Sequence, residues 1–509
     1  MNGRPWRAML PAFALGLAAC TLAPRLKVPE VATADAYKET GPWIKAQPAS
    51  ELPHDNWWAL YASSEVDELQ QRLVRGNPDL AVALAHFDEA RAIRDQARSA
   101  YFPTIAAGGG TTRQRTSKDV ANPAPQTLFD TDTVQATASY ELDLWGRIRS
   151  LVAAGKANAA AAAADLEDAR LSLRAQLVDS YVQLRSLDRT SAILDETVSA
   201  YDRALHLTEL RHNAGIAPGL DVAEAETQLN RARSEAEQTL AQRAVVEHAI
   251  AALIGEPATT FSIKPAIVEL QLPHVPVGVP SSLLQRRPDI VAARRRMEAA
   301  NAGIGAARAA YFPLITIDGQ GGYASAQRSN LFTAPSELWA VGPAALLTLF
   351  DGGLHRAQVR QARAEFDASA ATYRGTVLAA FQQVEDDLAL MSHYGVAAVS
   401  QKSALDAAQH ALTLSLELYR QGAADYLAVV TSQTAALQTQ LDALNLETLR
   451  LRASVALIRA VGGGWDGEGH RSASGGPRSD NEAATVSYTS ACQKQFTTEA
   501  VHDVGQNPS

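Results

Sequence analysis

The spacing of hydrophobic residues changes along the chain, and the change is the same in both halves. Over 146–212, apolar residues recur every three or four positions, which is the spacing of one helix face. This apolar seam comprises Leu177, Leu184, Leu187, Leu194, Val198, Tyr201 and Leu205. The segment lacks proline and is rich in good helix formers, so it predicts a single helix about 100 Å long.

The second half repeats this pattern over 353–420, and each long segment is followed by a glycine turn. Gly215 and Gly422 mark the turns, and further helices are expected after them at about 218–254 and 425–461. Each half therefore predicts a long antiparallel helical hairpin. A soluble coiled coil would share this pattern, so the helices alone do not identify a function.

Ahead of each long helix the period shortens to two, which is the period of a strand with one apolar face. In the first half the alternating apolar positions are Val134, Ala136, Ala138, Tyr140 and Leu142. Further strands are expected at 104–115, 314–323 and 338–350, and polar loops at 116–132 and 325–337 join the strands into two hairpins. Aromatic residues lie near the strand ends, at Tyr140, Trp145, Trp339 and Phe350. Short strands with such ends favour a transmembrane barrel over a soluble hairpin cap.

One architectural unit occurs twice in the chain. The motifs Asn77-Pro78-Asp79-Leu80 and Tyr101-Phe102-Pro103 reappear, 210 residues later (Pro78 to Pro288), as Arg287-Pro288-Asp289-Ile290 and Tyr311-Phe312-Pro313. Proline at the first helical position followed by aspartate suits a helix start, with Asn77 a good N-cap and Arg287 a poor one. A repeat of this size favours a scaffold or conduit over an asymmetric catalytic site.

Four predicted strands cannot close a barrel by themselves. An open sheet edge cannot face lipid, and spanning barrels begin at eight strands. If the strands span a membrane, the chain must therefore associate with copies of itself. Two copies or three would both satisfy closure, and three would give twelve strands.

The N-terminus reads as a secretory signal over 1–19. Arg4 and Arg7 are followed by a short apolar stretch that is too short to span a bilayer, and the stretch ends at Leu17-Ala18-Ala19-Cys20. Bacteria cleave and lipidate cysteine after such a pattern, so Cys20 is the predicted lipidation site. Thr21 follows it, where inner-membrane lipoproteins carry aspartate, so the outer membrane is favoured.

The composition and the motifs absent from the sequence argue against several classes of function. The net charge is −9 without a basic stripe, so nucleic acid is not an expected partner. Only Cys492 remains once Cys20 is lipidated, which leaves no disulfide framework. The histidines are scattered, and metalloprotease, nucleophile-elbow and phosphate-loop motifs are missing from the sequence, so we expect neither an enzyme, nor a metal, nor a cofactor beyond the covalent lipid.

The sequence predicts six divisions of the chain, from its repeats, its proline content and the composition of its tail. The Gly/Ser-rich end reads as disordered, and the Pro-rich bridge joins the two copies and is expected to pack with the N-terminal segment. The predicted divisions are a signal peptide (1–19), a lipidated N-terminal periplasmic segment (20–76), repeat 1 (77–255), a linker (256–286), repeat 2 (287–463) and a tail (464–509).

Several motifs resemble those of a known family. The run Leu283-Leu284-Gln285-Arg286-Arg287-Pro288-Asp289-Ile290, continued at Ala299–Ala302 and Ala309–Pro313, is similar to the signature of TolC-like outer-membrane efflux factors. Glu141–Arg147 and Leu349–Gly353 resemble the two strand-to-helix junctions of that family. Cys20-Thr21-Leu22-Ala23-Pro24 resembles the start of its lipoprotein, NodT-type branch, which serves resistance-nodulation-division pumps.

The resemblance implies an α+β membrane protein, a homotrimer with a twelve-stranded transmembrane β-barrel (four strands per chain) continuous with a long periplasmic α-helical barrel. Such a channel exports small molecules, with a periplasmic adaptor and an inner-membrane resistance-nodulation-division pump as partners and outer-membrane lipid around it. A type I protein-secretion exit duct is the nearer alternative, and a trimeric lipoprotein adhesin or scaffold the more distant one. The lipobox and the Arg-Arg-Pro-Asp-Ile run favour efflux.

The glycine turns are the candidate periplasmic gate. Asp221 and Glu224 are three residues apart, so they share a helix face, and threefold repetition would form acidic rings. The resemblance associates such acids with a constricted, cation-sensitive entrance. Copy two instead has Ala428 and Thr431 at the matching positions. Its nearby polar candidates are Tyr419, Arg420 and Asp425. The alternative is that the acids only cap helix N-termini.

Overall fold

The computed structural model describes residues 22–31, 37–39, 56–117, 119, 128–275, 281 and 283–465. The predicted signal peptide, Cys20 and Cys492 lie outside the described residues, as does the tail from residue 466 onward. The chain divides into units 1–467 and 468–509, and the description below concerns the first. None of the helices described here is long and apolar enough to cross a membrane.

The elements of the first copy follow a short 3-10 helix at Trp57–Tyr61. They are α1 (Ser64–Gly76), α2 (Pro78–Ser99), β1 (Thr104–Arg115), β2 (Leu128–Glu141), α3 (Arg147–Asn213) and α4 (Gly219–Leu253). Those of the second copy are α5 (Leu283–Arg286), α6 (Pro288–Ala309), β3 (Leu314–Ser325), β4 (Glu337–Leu346), α7 (Leu354–Arg420) and α8 (Tyr426–Ala460). The long helices α3 and α7 have 67 residues each, so both predicted helical hairpins are present.

The two hairpins of strands form one antiparallel sheet in the order β1-β2-β3-β4. Thr104 pairs with Ser139 in the first hairpin and Leu314 with Leu346 in the second. Leu314 follows Thr104 by 210 residues, and Leu346 follows Ser139 by 207 residues. These are the two offsets that relate the copies of the repeat, so the two pairs are equivalent. The duplication therefore extends to the strand register.

Two predicted strand boundaries were wrong by four residues or more. The strand expected to end at residue 350 ends at Leu346, because its partner Leu314 is the first residue of β3 and leaves nothing for 347–350 to pair with. The loop expected over 116–132 is shorter, since β2 begins at Leu128, which pairs with Arg115. The second loop contains two short 3-10 turns, Arg328–Asn330 and Ala334–Ser336.

Both strand-to-helix junctions have the same design. Gly146 and Gly353 immediately precede the long helices and have φ values of 75° and 92°, a left-handed conformation that favours glycine. Asp143 accepts two backbone N–H groups from the first turn of α3 at 3.0 and 2.8 Å. Asp351 accepts those of Gly353 and His355 at 2.8 and 2.9 Å. These carboxylates satisfy donors that a helix start leaves unpaired.

The start of α2 and that of α6 differ as expected. The Asn77 side chain accepts the Leu80 N–H at 2.8 Å and caps α2. Arg287 makes no side-chain cap for α6. Its guanidinium instead pairs with Asp289 at 2.7 Å and donates to the Ala460 carbonyl at 3.1 Å, which ties the start of α6 to the end of α8.

The main hydrophobic core surrounds the middle of α3. Leu177, Leu184 and Leu194 are fully buried, and the remaining seam residues are buried or partly buried against neighbouring helices. Trp57 and Tyr61 from the N-terminal segment are also fully buried, and Phe261 and Ile263 of the linker join the same cluster. The linker therefore packs with the N-terminal segment against the long helices.

A buried charge network holds the linker in place. Asp188 of α3 accepts from Arg185 and from Arg243 of α4, each at 2.6 Å. Arg185 also pairs with Glu65 and donates to the Lys264 carbonyl of the linker at 3.0 Å. The network joins α1, α3, α4 and the linker, and both arginines share the Asp188 carboxylate.

Replacing Asp188 with alanine is expected to destabilise the fold by about 3–5 kcal/mol, because two buried guanidinium groups lose their shared partner. Urea unfolding of the detergent-solubilised protein, followed by circular dichroism, measures the change. The matched control is Asp202→Ala, which breaks an exposed 3.1 Å pair with Arg233 between the same two helices and should cost less than about 1 kcal/mol. Equal shifts of the two midpoints would contradict a structural role for the buried network.

Candidate functional site

The register assigns every strand residue to one of two faces, because directly paired residues project to the same side. One face carries Thr133, Gln135, Thr137, Ser139, Thr316, Asp318 and Gln320. The opposite face carries Ile105, Val134, Ala138, Tyr140, Ile317, Trp339 and Val341. The alternation predicted for β2 thus extends to β3, whereas the β4 positions on the first face are apolar or glycine. The first face is called the polar face and the opposite one the apolar face.

The apolar part of this face extends over most of the height of a lipid-facing band. It extends from Leu142, whose N–H donates to the Ile315 carbonyl at 2.8 Å, to Val134. That distance along the strand is about 26 Å at 3.3 Å per residue, which corresponds to a height of about 20 Å when the strands are tilted by about 40°. The outward apolar band of outer-membrane barrels is about 25 Å tall. Beyond Val134 the same face becomes ionic, since Asp132 accepts from Thr111 at 2.5 Å and pairs with Arg328 at 3.2 Å.

Aromatic side chains lie at the other end of the band. Trp145 stacks on Phe312 with ring centroids 4.7 Å apart, and its indole N–H donates to the Pro313 carbonyl at 2.8 Å. Tyr311 packs edge-on against His355 at 5.7 Å. Phe350, expected near a strand end, lies beyond β4 and is 91% exposed. Aromatic rings at this level are typical of the boundary between lipid and water.

The far ends of the helical hairpins have equivalent turns. Gly215 and Gly422 have φ values of 74° and 77° and follow α3 and α7 closely. In the first turn the Ile216 N–H donates to the Arg211 carbonyl at 2.8 Å, and in the second the Ala423 N–H donates to the Leu418 carbonyl at 2.9 Å. Both are left-handed helix ends of the kind that glycine permits.

The gate candidates occupy different environments at these turns. Asp425 caps α8, with its carboxylate accepting the Ala428 N–H at 3.0 Å. Asp221 lies in the first turn of α4 without capping it, because Pro218 occupies the N-cap. Arg420 is exposed and contacts Glu417 at 3.8 Å, which is a weak surface pair. Asp425 therefore caps its helix, whereas Asp221 makes no capping hydrogen bond and lies in the first turn of α4, where an acid suits the positive helix end.

Tyr419 and Tyr426 form the buried centre of this end. They pack edge-on with ring centroids 5.3 Å apart. Burial raises the pKa of Tyr426 to about 12, with further contributions from the neighbouring tyrosines and from the carboxylates of Glu224 and Asp221. The structure therefore brings the acidic residues of the first turn close to the tyrosines of the second hairpin.

One residue that joins the two hairpins close to their turns was missed by sequence reasoning. Arg211 of α3 donates to the Tyr419 carbonyl at 2.7 Å, and its guanidinium lies 4.5 Å from the centre of the Tyr419 ring. At the offset of 207 residues that relates Gly215 to Gly422, Arg211 corresponds to Leu418. The two turns are otherwise equivalent, but the first has a charged residue where the second has an apolar one. This difference between the copies was the signal in the sequence that could have identified Arg211.

A cavity lies beside this contact. Its volume is about 620 Å³, and it separates parts of α3 from α7 and α8. Its walls include Tyr201, Tyr419, Tyr426 and Gln433, and the Tyr419 hydroxyl has no hydrogen-bond partner. The second hairpin is thus incompletely packed against the first near the Arg211 contact. Within the described part of the chain, no group of His, Cys, Asp and Glu side chains is arranged to hold a metal ion.

Comparisons with known proteins agree with this architecture. The family model described as outer membrane efflux protein matches residues 69–256 and 279–463, once for each copy of the repeat. Outer membrane protein OprJ of Pseudomonas aeruginosa is 32% identical over 457 residues, covering 89% of this chain and 95% of OprJ. The toluene efflux pump outer membrane protein TtgF of Pseudomonas putida is 30% identical over 463 residues, covering 89% and 96%.

The solved structure of the outer-membrane channel OprN is similar over the whole of that chain. The TM-score is 0.80 at 29% identity, covering 88% of this chain and 100% of OprN. The four-stranded sheet, the long helical hairpins and the duplicated order of elements are therefore those of an outer-membrane channel. The chain belongs to the outer membrane efflux protein family.

Proposed function

We propose that the protein is the outer-membrane channel of a tripartite efflux system and that three copies form it. The two-faced sheet with two open edges carries this proposal. β1 and β4 present 12 and 10 residues with no strand beyond them among the residues that the structure describes. Unpaired backbone groups cannot face lipid, so each β1 edge must pair with the β4 edge of a neighbouring copy. Three copies give a barrel of twelve strands.

The transported compounds are inferred to be small toxic organic molecules. The relatives that support this include proteins named for efflux of toluene, solvents and antibiotics. The polar face of the sheet would line the passage, and the chemistry of transport requires neither a catalytic site nor a cofactor. An inner-membrane resistance-nodulation-division pump would supply the energy and much of the selectivity.

The hairpin ends are the proposed docking surface for a periplasmic adaptor. Ile216 and Leu220 of the first turn are each 66% exposed, and Leu427 of the second is 57% exposed. Exposed apolar side chains at the end of a long helical structure are suited to a protein partner. The adaptor would join this end to the pump and close the path from the periplasm.

Loss of the protein is expected to reduce tolerance to solvents, dyes and drugs severalfold, because the pump would have no exit through the outer membrane. Growth of a deletion strain in graded concentrations of each compound measures the effect, and the wild-type gene on a plasmid is the control. Secretion of a type I exported protein should stay unchanged. Lost protein secretion with unchanged drug tolerance would indicate an exit duct for proteins instead.

Cys20 is the proposed lipid anchor, and with it the protein would belong to the lipoprotein branch of the family. Arg308 of α6 donates to the Leu22 carbonyl at 3.1 Å, and Asn301 donates to the Pro24 carbonyl at 2.9 Å. A side chain at Gly305 would lie 2.9 Å from Ala23, so this helix face fits the segment closely. Leu22 is two residues from Cys20, or about 7 Å at most, and α6 ends beside the aromatic boundary of the sheet.

Replacing Cys20 with serine is expected to abolish incorporation of labelled palmitate, since serine cannot form the thioether to the lipid. Labelling cells with radioactive palmitate and isolating the protein measures this. Cys492→Ser serves as the control and should retain the label. Palmitate in the Cys20 variant would contradict the assignment.

The contact between Arg211 and Tyr419 is the proposed closing element of the periplasmic gate. It combines a charged hydrogen bond with a cation–π contact, and the cavity beside it leaves room for α7 and α8 to move. Asp221 and Glu224 would form acidic rings beside it in a threefold assembly. The first turn thus supplies the charge that the second turn lacks at Ala428 and Thr431.

Arg211→Ala is expected to increase single-channel conductance severalfold in planar bilayers, because the turn end of the second hairpin loses this attachment to the first. Arg233→Ala, which removes an exposed arginine from the same hairpin, is the control. Replacing Asp221 and Glu224 by their amides should weaken inhibition by multivalent cations added on the periplasmic side. Unchanged conductance in the Arg211 variant would contradict its role, and unchanged inhibition would contradict the acidic rings.

A further inference from the structure

We propose that Asp318 is a charge-selecting residue of the channel, inside the sheet and separate from the periplasmic gate. The inference rests on the proposed function, because it requires that the sheet enclose a water-filled passage. It concerns a single position on the polar face of β3. Its basis is the register of the four strands, the hydrogen bonds of the carboxylate and the distribution of charge over the two faces.

The register places Asp318 on the face that would line the passage. It is paired directly with Ser139 of β2 and Gly342 of β4, and Ser139 is paired with Thr104 of β1. All four residues therefore project to the same side of the sheet. Ile317, the residue before Asp318, projects to the apolar face, so the face that contains Asp318 is directed away from lipid.

Asp318 is the one acid on this face that has no arginine beside it among the described strand residues. The other acid there is Glu141, which forms a two-bond pair with Arg147, the Nε donating at 2.8 Å. The remaining positions of the polar face are threonine, serine, glutamine, glycine, alanine and larger apolar residues. The charged strand residues of the opposite face lie toward the loop end, at Arg113, Arg115, Asp130, Asp132 and Glu337.

The carboxylate is held in position without being neutralised. Ser139 Oγ donates to one carboxylate oxygen at 2.6 Å, and Thr316 Oγ1 donates to the other at 2.7 Å. Both donors are uncharged hydroxyls on the same face. Beside Asp318 on β4, a side chain added at Gly342 would meet no atom within 4 Å, so this side of the carboxylate is open.

The proposed barrel is narrow enough for one acidic residue per copy to influence the ions that pass through it. Twelve strands spaced about 4.8 Å apart and tilted about 40° enclose a backbone diameter of about 24 Å. Three Asp318 carboxylates that project inward would lie about 9 Å from the axis, which is close to the Debye length of about 10 Å at 0.1 M salt. At 1 M salt that length is about 3 Å, so the influence of the ring on passing ions should vanish. Asp318 would therefore favour cations and disfavour anions at low and physiological salt.

The test is the ratio of K⁺ to Cl⁻ permeability of the reconstituted wild-type channel and its Asp318→Asn variant, from reversal potentials in neutral planar bilayers. The variant should lower the ratio about twofold below about 0.1 M KCl and leave it unchanged near 1 M. Glu337→Gln, which removes an acid from the opposite face of the same sheet, is the matched control and should have no effect.

A second variant keeps the proposal testable if the Asp318→Asn protein does not assemble. Gln320→Glu adds an acid to the same face two residues from Asp318 and should raise the cation preference under the same low-salt conditions. Equal permeability ratios for wild type and Asp318→Asn at low salt would overturn the role of Asp318 but would not contradict the proposed channel function. A wild-type protein that forms no conducting pore would instead overturn the proposed function.

Discussion

The need to pair every backbone N–H and C=O group within lipid governs the organisation of this protein. A helix meets this need within itself and a sheet meets it between strands, and in this protein the apolar face belongs to the sheet. A sheet of four strands leaves two edges open. The proposed association with further copies would supply the hydrogen bonds that the outer edges of β1 and β4 lack within one chain.

The large features of the fold could be predicted because they repeat over many residues. The apolar seam of α3, the two turns and the alternation of β2 were readable in the sequence, and β1 was bounded correctly. The end of β4 was not, because an apolar run such as Leu347–Phe350 suits a strand or a connection equally well. Only the position where the partner strand begins, at Leu314, decides between them, and that information lies elsewhere in the chain.

The candidate site was less predictable than the fold because its contacts join distant segments. Asp425 was identified as polar and well placed, but only the bond to the Ala428 N–H shows that it caps a helix. Arg211 gave no local signal, and its partner Tyr419 is 208 residues away. Comparing the two copies position by position is the method that would have found it, since functional differences between duplicated units appear where their residues differ in chemistry.

The equality of register between the two strand hairpins has a consequence for symmetry. A ring of three chains would contain six equivalent hairpins and six junctions between them. Three of these junctions are the β2–β3 pairs, which lie within a chain, and only the other three join separate molecules. Fusing the two units thus makes half of the junctions intramolecular, where the effective concentration of the partner strand is millimolar or higher. A ring that would otherwise need six separate hairpins would then need only three chains. It could therefore close at a lower concentration of protein in the membrane.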